Sequence, residues 1–480
     1  MSSAKRLQAA ILAAMVLAVL IVTLGSLHHT FLHVPTDNNE GWNAYHALIA
    51  LSGGVLYPPP DSLISTNYPP LSFFIVGFAG KLIGDNIIAG RLISILSLLA
   101  VSINVFWLTR LLGGERFFAA FSSLLFLLYI GVNAAGYVAM NDPQWLGHAF
   151  TTSGAVFFLI AQERSQAMRF VLLSSLLCVI GVFIKQNLVV LPLALFVWSL
   201  FNGRRHLLSW TLLSLVIGST LLLLAILSYG PVLLQDIFLH QRVISVRKFE
   251  SNVIRFVMPL VPLLVYAAIL SAAMWRDRRI RFALLYVLIA GALGLFFLSG
   301  ELCDVNIVFD LIIALCIIAG LFGTCVMSML TESYRQWTAA VALILASVCL
   351  PGLGQSILDS RERVREDHRL RQAYQDLISE IAASPGPVAC EMTSLCYWAG
   401  KSFELDAHNY LQKIKKGKVS PELLRKLIDE QFFRYLEATA PGRMRSVTAS
   451  MVGDDLSSDV EAHYIVVKQV GEQRLLAPSR

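Results

Sequence analysis

Apolar runs long enough to cross a bilayer dominate this chain, at 8–27, 89–110, 117–136, 144–161, 169–184, 187–201, 209–229, 254–274, 280–299, 306–328 and 336–354. A hydrocarbon core of about 30 Å takes roughly 20 residues of helix, and every backbone polar group inside it needs a partner within the structure. The chain therefore reads as an all-α polytopic membrane protein with about eleven transmembrane helices. Only 15% of its 480 residues are charged, against about a quarter in soluble domains. The net charge of +6 is modest. Much of the basic excess sits in short connections between apolar runs, which points to membrane orientation and away from nucleic acid. The first run follows Lys5 and Arg6, and no small-residue cleavage pattern comes after it. It reads as an uncleaved anchor.

Segment 71–84 decides the orientation. As a helix its length is about 21 Å, short of the roughly 30 Å core. It opens after Pro69-Pro70 and ends at Gly84-Asp85, so it reads as an interfacial or re-entrant helix. On that reading Arg110, Arg116, Arg164, Arg169, Arg204, Arg205, Arg276, Arg278, Arg279, Arg281 and Arg335 share the side of the N-terminus. The positive-inside rule requires such an excess. If 71–84 crossed, nearly all of that arginine would lie outside. The expectation is a cytoplasmic N-terminus with everything after Pro351 on the far side.

Polar residues collect on that far side. Loop 33–70 holds the densest cluster of carboxylates, amides and aromatics in the first half. Within it, 41–51 reads as a short amphipathic helix with Trp42, Tyr45, Leu48 and Ile49 on one face, resting at the water–lipid boundary that Trp and Tyr favour. Asp37 and Glu40 are candidate catalytic carboxylates, able to serve as general base towards a hydroxyl or to bind a divalent cation. Acidic residues complementing a helix N-terminus, with Asp37 or Asn38 as cap, explain them equally well. Asp142, in Asn141-Asp142-Pro143, suits positioning of an acceptor hydroxyl, or capping of a helix that opens at Pro143.

Lys185 interrupts the apolar stretch 176–200. A cation there is costly and reads as functional, with a phosphate headgroup as its natural partner; snorkelling from a helix end is the alternative. Arg247 and Lys248, in the loop 235–250 with Asp236, His240 and Arg242, can serve the same anion or form a solvated basic loop. Glu301, Asp304, Asn306 and Asp310 flank the tenth run. Asn306 and Asp310 share a helix face, fit for a sugar, or for a cap and a buried hydrogen bond.

After Pro351-Gly352 the composition changes, dividing the chain into a membrane-embedded part, 1–354, and a small extracytoplasmic α/β domain, 355–480. A charged stalk helix is expected over 359–384, a short strand at 387–390, a helix over 421–438 and a closing strand at Tyr464–Val470. Of the seven cysteines, Cys178, Cys316, Cys325 and Cys349 lie in apolar runs as core residues. Cys390 and Cys396 fall in the tail and can pair if it is exported. HExxH, P-loop, GxGxxG and GxSxG elements are all missing, so soluble nucleotide-dependent chemistry has no visible seat. A divalent metal is compatible with the acidic loops, but no strict ligand spacing signals one.

Several short motifs, in order, resemble the polytopic glycosyltransferases of the GT-C fold, especially bacterial family-39-like enzymes such as protein mannosyltransferases and lipid A aminoarabinose transferases. Asn39-Glu40-Gly41-Trp42 with Tyr45 stands where that family has an Asp-Glu pair. Tyr68-Pro69-Pro70-Leu71, then Gly84 and Ala89-Gly90-Arg91-Leu92, resembles its Pro-Pro-Leu…Gly…Ala-Arg-Leu run. Asn141-Asp142-Pro143 and Lys185-Gln186 resemble its second acidic loop and its later lysine. The likeness covers most of 1–330. Asn39 departs from the pattern, because an amide cannot act as a base; either Glu40 or Asp37 takes the role, or the acceptor chemistry differs.

The resemblance implies a multi-pass protein of the bacterial inner membrane. It implies transfer of a hexose or pentose from a polyprenyl-phosphate donor to an acceptor hydroxyl on a lipid, glycan or protein, at the periplasmic face. Lys185, with Arg247 or Lys248, would hold the donor phosphate, and Trp42, Tyr45, Tyr68 and Asn306 the substrates. The rival class is a transporter or flippase of a lipid-linked saccharide. That class calls for broken helix pairs, midplane charges and repeated halves, and the sequence carries no visible repeat.

Overall fold

The computed structural model describes residues 3–164, 167–202, 206–238, 243–301, 303–329, 337–439 and 449–479. Arg204, Arg205, His240, Arg242 and Arg335 lie outside the described residues. The chain runs through α1 (Ser3–His29), α2 (Asn38–Ser52), α3 (Leu71–Ile83), α4 (Asn86–Leu111), α5 (Arg116–Asn133), α6 (Gln144–Glu163), α7 (Met168–Ile184) and α8 (Val190–Asn202). It continues through α9 (Leu207–Tyr229), α10 (Val232–Phe238), α11 (Val246–Asn252), α12 (Val261–Met274), α13 (Arg278–Leu298), α14 (Phe309–Met329), α15 (Thr338–Ala346) and α16 (Leu350–Ala383).

Every apolar run of the sequence is helical over most of its length. Among the described residues, eight helical stretches are long and apolar enough to cross a membrane, and α3, α7 and α8 are shorter apolar helices. The stretch through α11 and α12 is irregular, with a π-helical turn at Val253–Val257 and a 3-10 turn at Met258–Leu260. Pro259 and Pro262 lack the backbone N–H that an unbroken ladder needs.

Burial sorts the helices. α14 runs through the centre, where Ile313, Ala314, Leu315, Cys316 and Ile318 are wholly buried. α1 and α9 turn Leu17, Leu20, Leu24, Leu215 and Leu223 outwards, as lipid-facing helices do. α6 and α7 pack closely through small residues. A Cβ added at Gly154 would lie 2.6 Å from Cys178 Sγ, and such close approach drives helix association where no hydrophobic effect operates. At one end of the bundle Arg279 pairs with Glu163 (3.3 Å) and Arg278 meets Gln162 (3.4 Å), which brings two of the basic connections together. The C-terminal unit sits at the opposite end.

α16 runs unbroken from the bundle into that unit. Pro351 is tolerated in its first turn, where the missing N–H is not needed. Beyond α16 lie β1 (Val388–Cys390), α17 (Thr393–Trp398), α18 (Ala407–Lys415), α19 (Glu422–Asp429), β2 (Tyr435–Thr439), α20 (Ala449–Val452), α21 (Asp454–His463), β3 (Tyr464–Val470) and β4 (Gln473–Pro478). The sheet order is β1-β2-β4-β3, with β1 parallel to β2 and the other pairs antiparallel. Its core gathers Tyr410, Ile428, Leu436, Leu456, Val460 and Leu476. Cys390 and Cys396 are disulfide-bonded, tying α17 to β1.

Three expectations are corrected. The helix expected over 421–438 stops at Asp429. The chain reverses at Gln431, the one non-glycine residue with positive φ (51°) among the described residues, and 435–439 enters the sheet. Tyr464–Val470 is a strand but not the closing one, because β4 follows it in a hairpin turned at Gly471 (φ 58°). The third correction concerns α2. Trp42 and Tyr45 do not rest at a lipid boundary: they are 5% and 3% exposed, covered by the C-terminal unit. The Tyr45 ring stacks on Phe403 at 4.8 Å and its hydroxyl donates to the Lys401 carbonyl (2.8 Å). An aromatic stripe made to meet lipid and one made to meet a protein roof have the same spacing in sequence.

Candidate active site

Asp37 caps α2. Its backbone is extended and its Oδ1 accepts from Asn39 N–H (2.8 Å), satisfying one of the donors a helix start leaves open. Three residues on, Glu40 points into the protein and is fully buried. Its Oε1 accepts from Arg91 Nε (2.8 Å) and from the Asn141 N–H (3.2 Å), and its Oε2 from Arg91 Nη2 (2.6 Å). The rest of the guanidinium is equally occupied. Nη1 donates to the carbonyls of His29 (3.1 Å) and Leu32 (2.8 Å), and Nη2 to that of Val34 (3.1 Å). This buried fork binds α4, α2 and the 29–34 turn into one piece, and both Glu40 oxygens are engaged in it. Below it, His29 Nδ1 meets Asp367 of α16 at 2.9 Å.

Asp142 and Lys185 form the second pair. Asp142 follows the turn after α5, and Lys185 ends α7 in extended conformation. Lys185 Nζ lies 2.9 and 3.2 Å from the two Asp142 oxygens, and Asp142 Oδ1 also accepts from Gln144 N–H (2.8 Å). Both side chains are at most 5% exposed. The Tyr68 ring stands over the ammonium, with its centroid 4.8 Å from Nζ, a favourable placement for a cation.

Asp37, by contrast, is half-buried and keeps its remaining oxygen out of these pairs. Burial raises its carboxyl from 3.8 to about 6, and the negative charges of Glu40, Asp142 and Asp304 push the same way. The Asn39 N–H opposes them. Asp304, which caps the 3-10 turn Val305–Val308, therefore belongs to the same acidic surface. Asn306 enters it through its backbone, whose carbonyl accepts from Gln144 Nε2 (3.3 Å).

The remaining sequence candidates lie elsewhere. Arg247 and Lys248 are exposed on α11, and the Lys248 charge acts on Glu301, whose carboxylate pairs with Lys415 at 2.9 Å. Trp42 donates its indole N–H to Asp406, the N-cap of α18 (2.8 Å). Tyr286 donates to Asp310 at 2.6 Å within the bundle. Among the described residues, no group of three or more His, Cys, Asp or Glu is placed to hold a metal ion.

In the sequence Arg91 stands within a motif that assigns it no task, and nothing there marks Asp406. Arg91 is signalled by being a guanidinium at the start of a spanning helix. Asp406 lies in a tail whose sequence announces no site.

The family model for dolichyl-phosphate-mannose-protein mannosyltransferase matches residues 67–229. Over nearly the whole chain the structure superposes on apo ArnT from Cupriavidus metallidurans, with 16% identity, 98% of this chain and 97% of that one covered, and a TM-score of 0.65. The chain has the GT-C fold. The same ArnT bound to undecaprenyl phosphate shares this GT-C fold at TM-score 0.62, with 16% identity and 97% of each chain covered. Archaeoglobus fulgidus AglB, an archaeal oligosaccharyltransferase in complex with an inhibitory peptide and a dolichol-phosphate, matches at 0.58 with 10% identity, over 97% of this chain and 74% of that one. No curated protein sequence gives a significant match. Within the GT-C fold, the segment matched by the family model carries Tyr68, Arg91, Asp142 and Lys185 together.

Proposed function

We propose that this chain is an integral-membrane glycosyltransferase that moves a sugar from a polyprenyl-phosphate donor to an acceptor hydroxyl at the membrane face carrying the C-terminal unit. The carrying observation is a half-buried carboxylate, Asp37, within electrostatic reach of Asp142, the carboxylate that holds the buried ammonium of Lys185 at 2.9 Å. Support for the donor class comes from the fold's relatives, one bound to undecaprenyl phosphate and another to a dolichol-phosphate, and from the mannosyltransferase match.

In the reaction, Asp37 takes the proton of the acceptor hydroxyl as its oxygen bonds to the anomeric carbon. The bond from that carbon to the phosphate oxygen breaks, and polyprenyl phosphate leaves as an anion. Lys185, aimed by Asp142 and Tyr68, stabilises that charge, so a strong general acid is unnecessary. Glu40 builds the site through Arg91 without touching the substrate. The apolar spans house the lipid tail. The arginine-rich end lies in the cytoplasm under this reading and the disulfide-bearing unit lies in the periplasm of a bacterial inner membrane.

The test uses purified full chain in detergent with a labelled polyprenyl-phosphate sugar and candidate acceptors. Label appearing in a covalent product supports transfer. A transporter moves lipid between compartments, which detergent abolishes, and would form no product. Lipid-linked sugar that stays intact in detergent but crosses the bilayer of sealed vesicles would replace this reading with transport.

A further inference from the structure

The C-terminal unit grips the loop before α3 through the first two turns of α18. Asp406 N–H donates to the Leu63 carbonyl (2.9 Å), and Lys413 Nζ to that of Pro60 (2.9 Å). Asn67 Nδ2 donates to Asn409 Oδ1 (3.4 Å). From the other side Gln186, next to Lys185, donates its amide to the Asn67 carbonyl (2.7 Å). Asp406 Oδ2 accepts from Asn409 Nδ2 (2.7 Å) and from the Trp42 indole (2.8 Å). The Trp42 ring meets Tyr68 edge-on at 5.3 Å, and Tyr68 covers Lys185. These contacts close a ring: Lys185, Gln186, Asn67, Asn409, Asp406, Trp42, Tyr68 and back to Lys185.

We propose that Asp406 is a positioning residue for the donor phosphate, holding Tyr68 and the loop around Lys185 through Trp42 and Asn409. The idea rests on the donor reading of Lys185 given above. A carboxylate that is only 3% exposed and hydrogen-bonded to an indole and an amide is an expensive way to fill space. Its oxygens fix direction, which an apolar side chain of the same size would not. The C-terminal unit thereby completes the membrane site rather than hanging beside it.

The test measures binding of undecaprenyl phosphate to the purified full chain in nanodiscs, with thermal unfolding followed in parallel. Asp406→Ala and Trp42→Phe, which remove the two ends of one hydrogen bond, should each weaken binding at least tenfold. The double variant should be no weaker than the worse single one. Asp406→Asn, which keeps an acceptor for the indole, should bind within about threefold of wild type. Wild-type affinity in both Asp406→Ala and Trp42→Phe overturns the proposal while leaving the donor reading intact. So does a loss in Asp406→Asn equal to that in Asp406→Ala. If Asp406→Ala fails to fold, Trp42→Phe alone decides. A wild type that binds no polyprenyl phosphate overturns the donor reading itself, and the positioning role with it.

Discussion

In the proposed reaction Glu40, held by Arg91, serves the architecture of the acidic loop and Asp37 its chemistry. With Arg91 fully buried and all its N–H groups bonded, Glu40→Gln leaves a guanidinium without its counter-charge. Breaking such a pair costs about 3–5 kcal/mol. The expected outcome is a lower unfolding temperature and less folded protein, which Arg91→Lys, lacking the planar fork, should reproduce. Asp37 predicts a pH effect. Its carboxyl rises from 3.8 to about 6 and must be ionised to accept a proton. Transfer should therefore climb as pH rises through about 6 and level off above it, and a flat rate across that range would remove Asp37 from the role. Stability runs the other way. The folded state holds this proton more tightly than the unfolded chain, so the contribution of Asp37 falls as pH rises from about 4 to about 6 and is constant above. At this scale the sequence was half legible. A lysine inside an apolar stretch demands a partner, and Asp142 was a marked residue, but their pairing across 43 positions has no local signal. Nor does the partnership of Glu40 with Arg91, and without it Asp37 and Glu40 look interchangeable.

α2 is one of the elements on which the halves of the molecule meet. Gly41 lies so close to α17 that an added Cβ would overlap the Thr393–Ser394 peptide, and backbone cannot step aside as a flexible side chain does. Gly41→Ala should push the C-terminal unit off α2. The check is limited proteolysis, which should release that unit from the variant and spare the wild type. The disulfide holds α17 in place from behind. Cys396→Ser opens a loop of six residues' separation, with an expected loss of about 2 kcal/mol, read as earlier unfolding of the C-terminal unit. Apolar periodicity located the spanning helices because the bilayer imposes length and composition together. The same reasoning missed the end of α19 and the strand after it, since 421–438 keeps helix-forming residues throughout and only the sheet's demand for β2 overrides them.

For the whole molecule, orientation is the sharpest consequence of the arginine distribution. A single cysteine at exposed Lys416, in the C-terminal unit, should react with a membrane-impermeant maleimide on intact spheroplasts. One at exposed Arg116, at the opposite end, should react only after permeabilisation. The reverse pattern would invert the molecule and move the proposed site to the cytoplasm. The fold class was legible because hydropathy and charge act over the entire chain. The roofed site was not, because it is made by a tail that returns to cover a loop more than three hundred residues earlier, through contacts such as Trp42 with Asp406. The central claim is that Asp37 works as the base of a sugar transfer from a lipid phosphate. Its most direct test is the initial rate of labelled-sugar transfer by wild type and by Asp37→Asn, matched for folded protein. Asp37→Asn should lose at least about a hundredfold in rate, and equal rates would rule Asp37 out as the base.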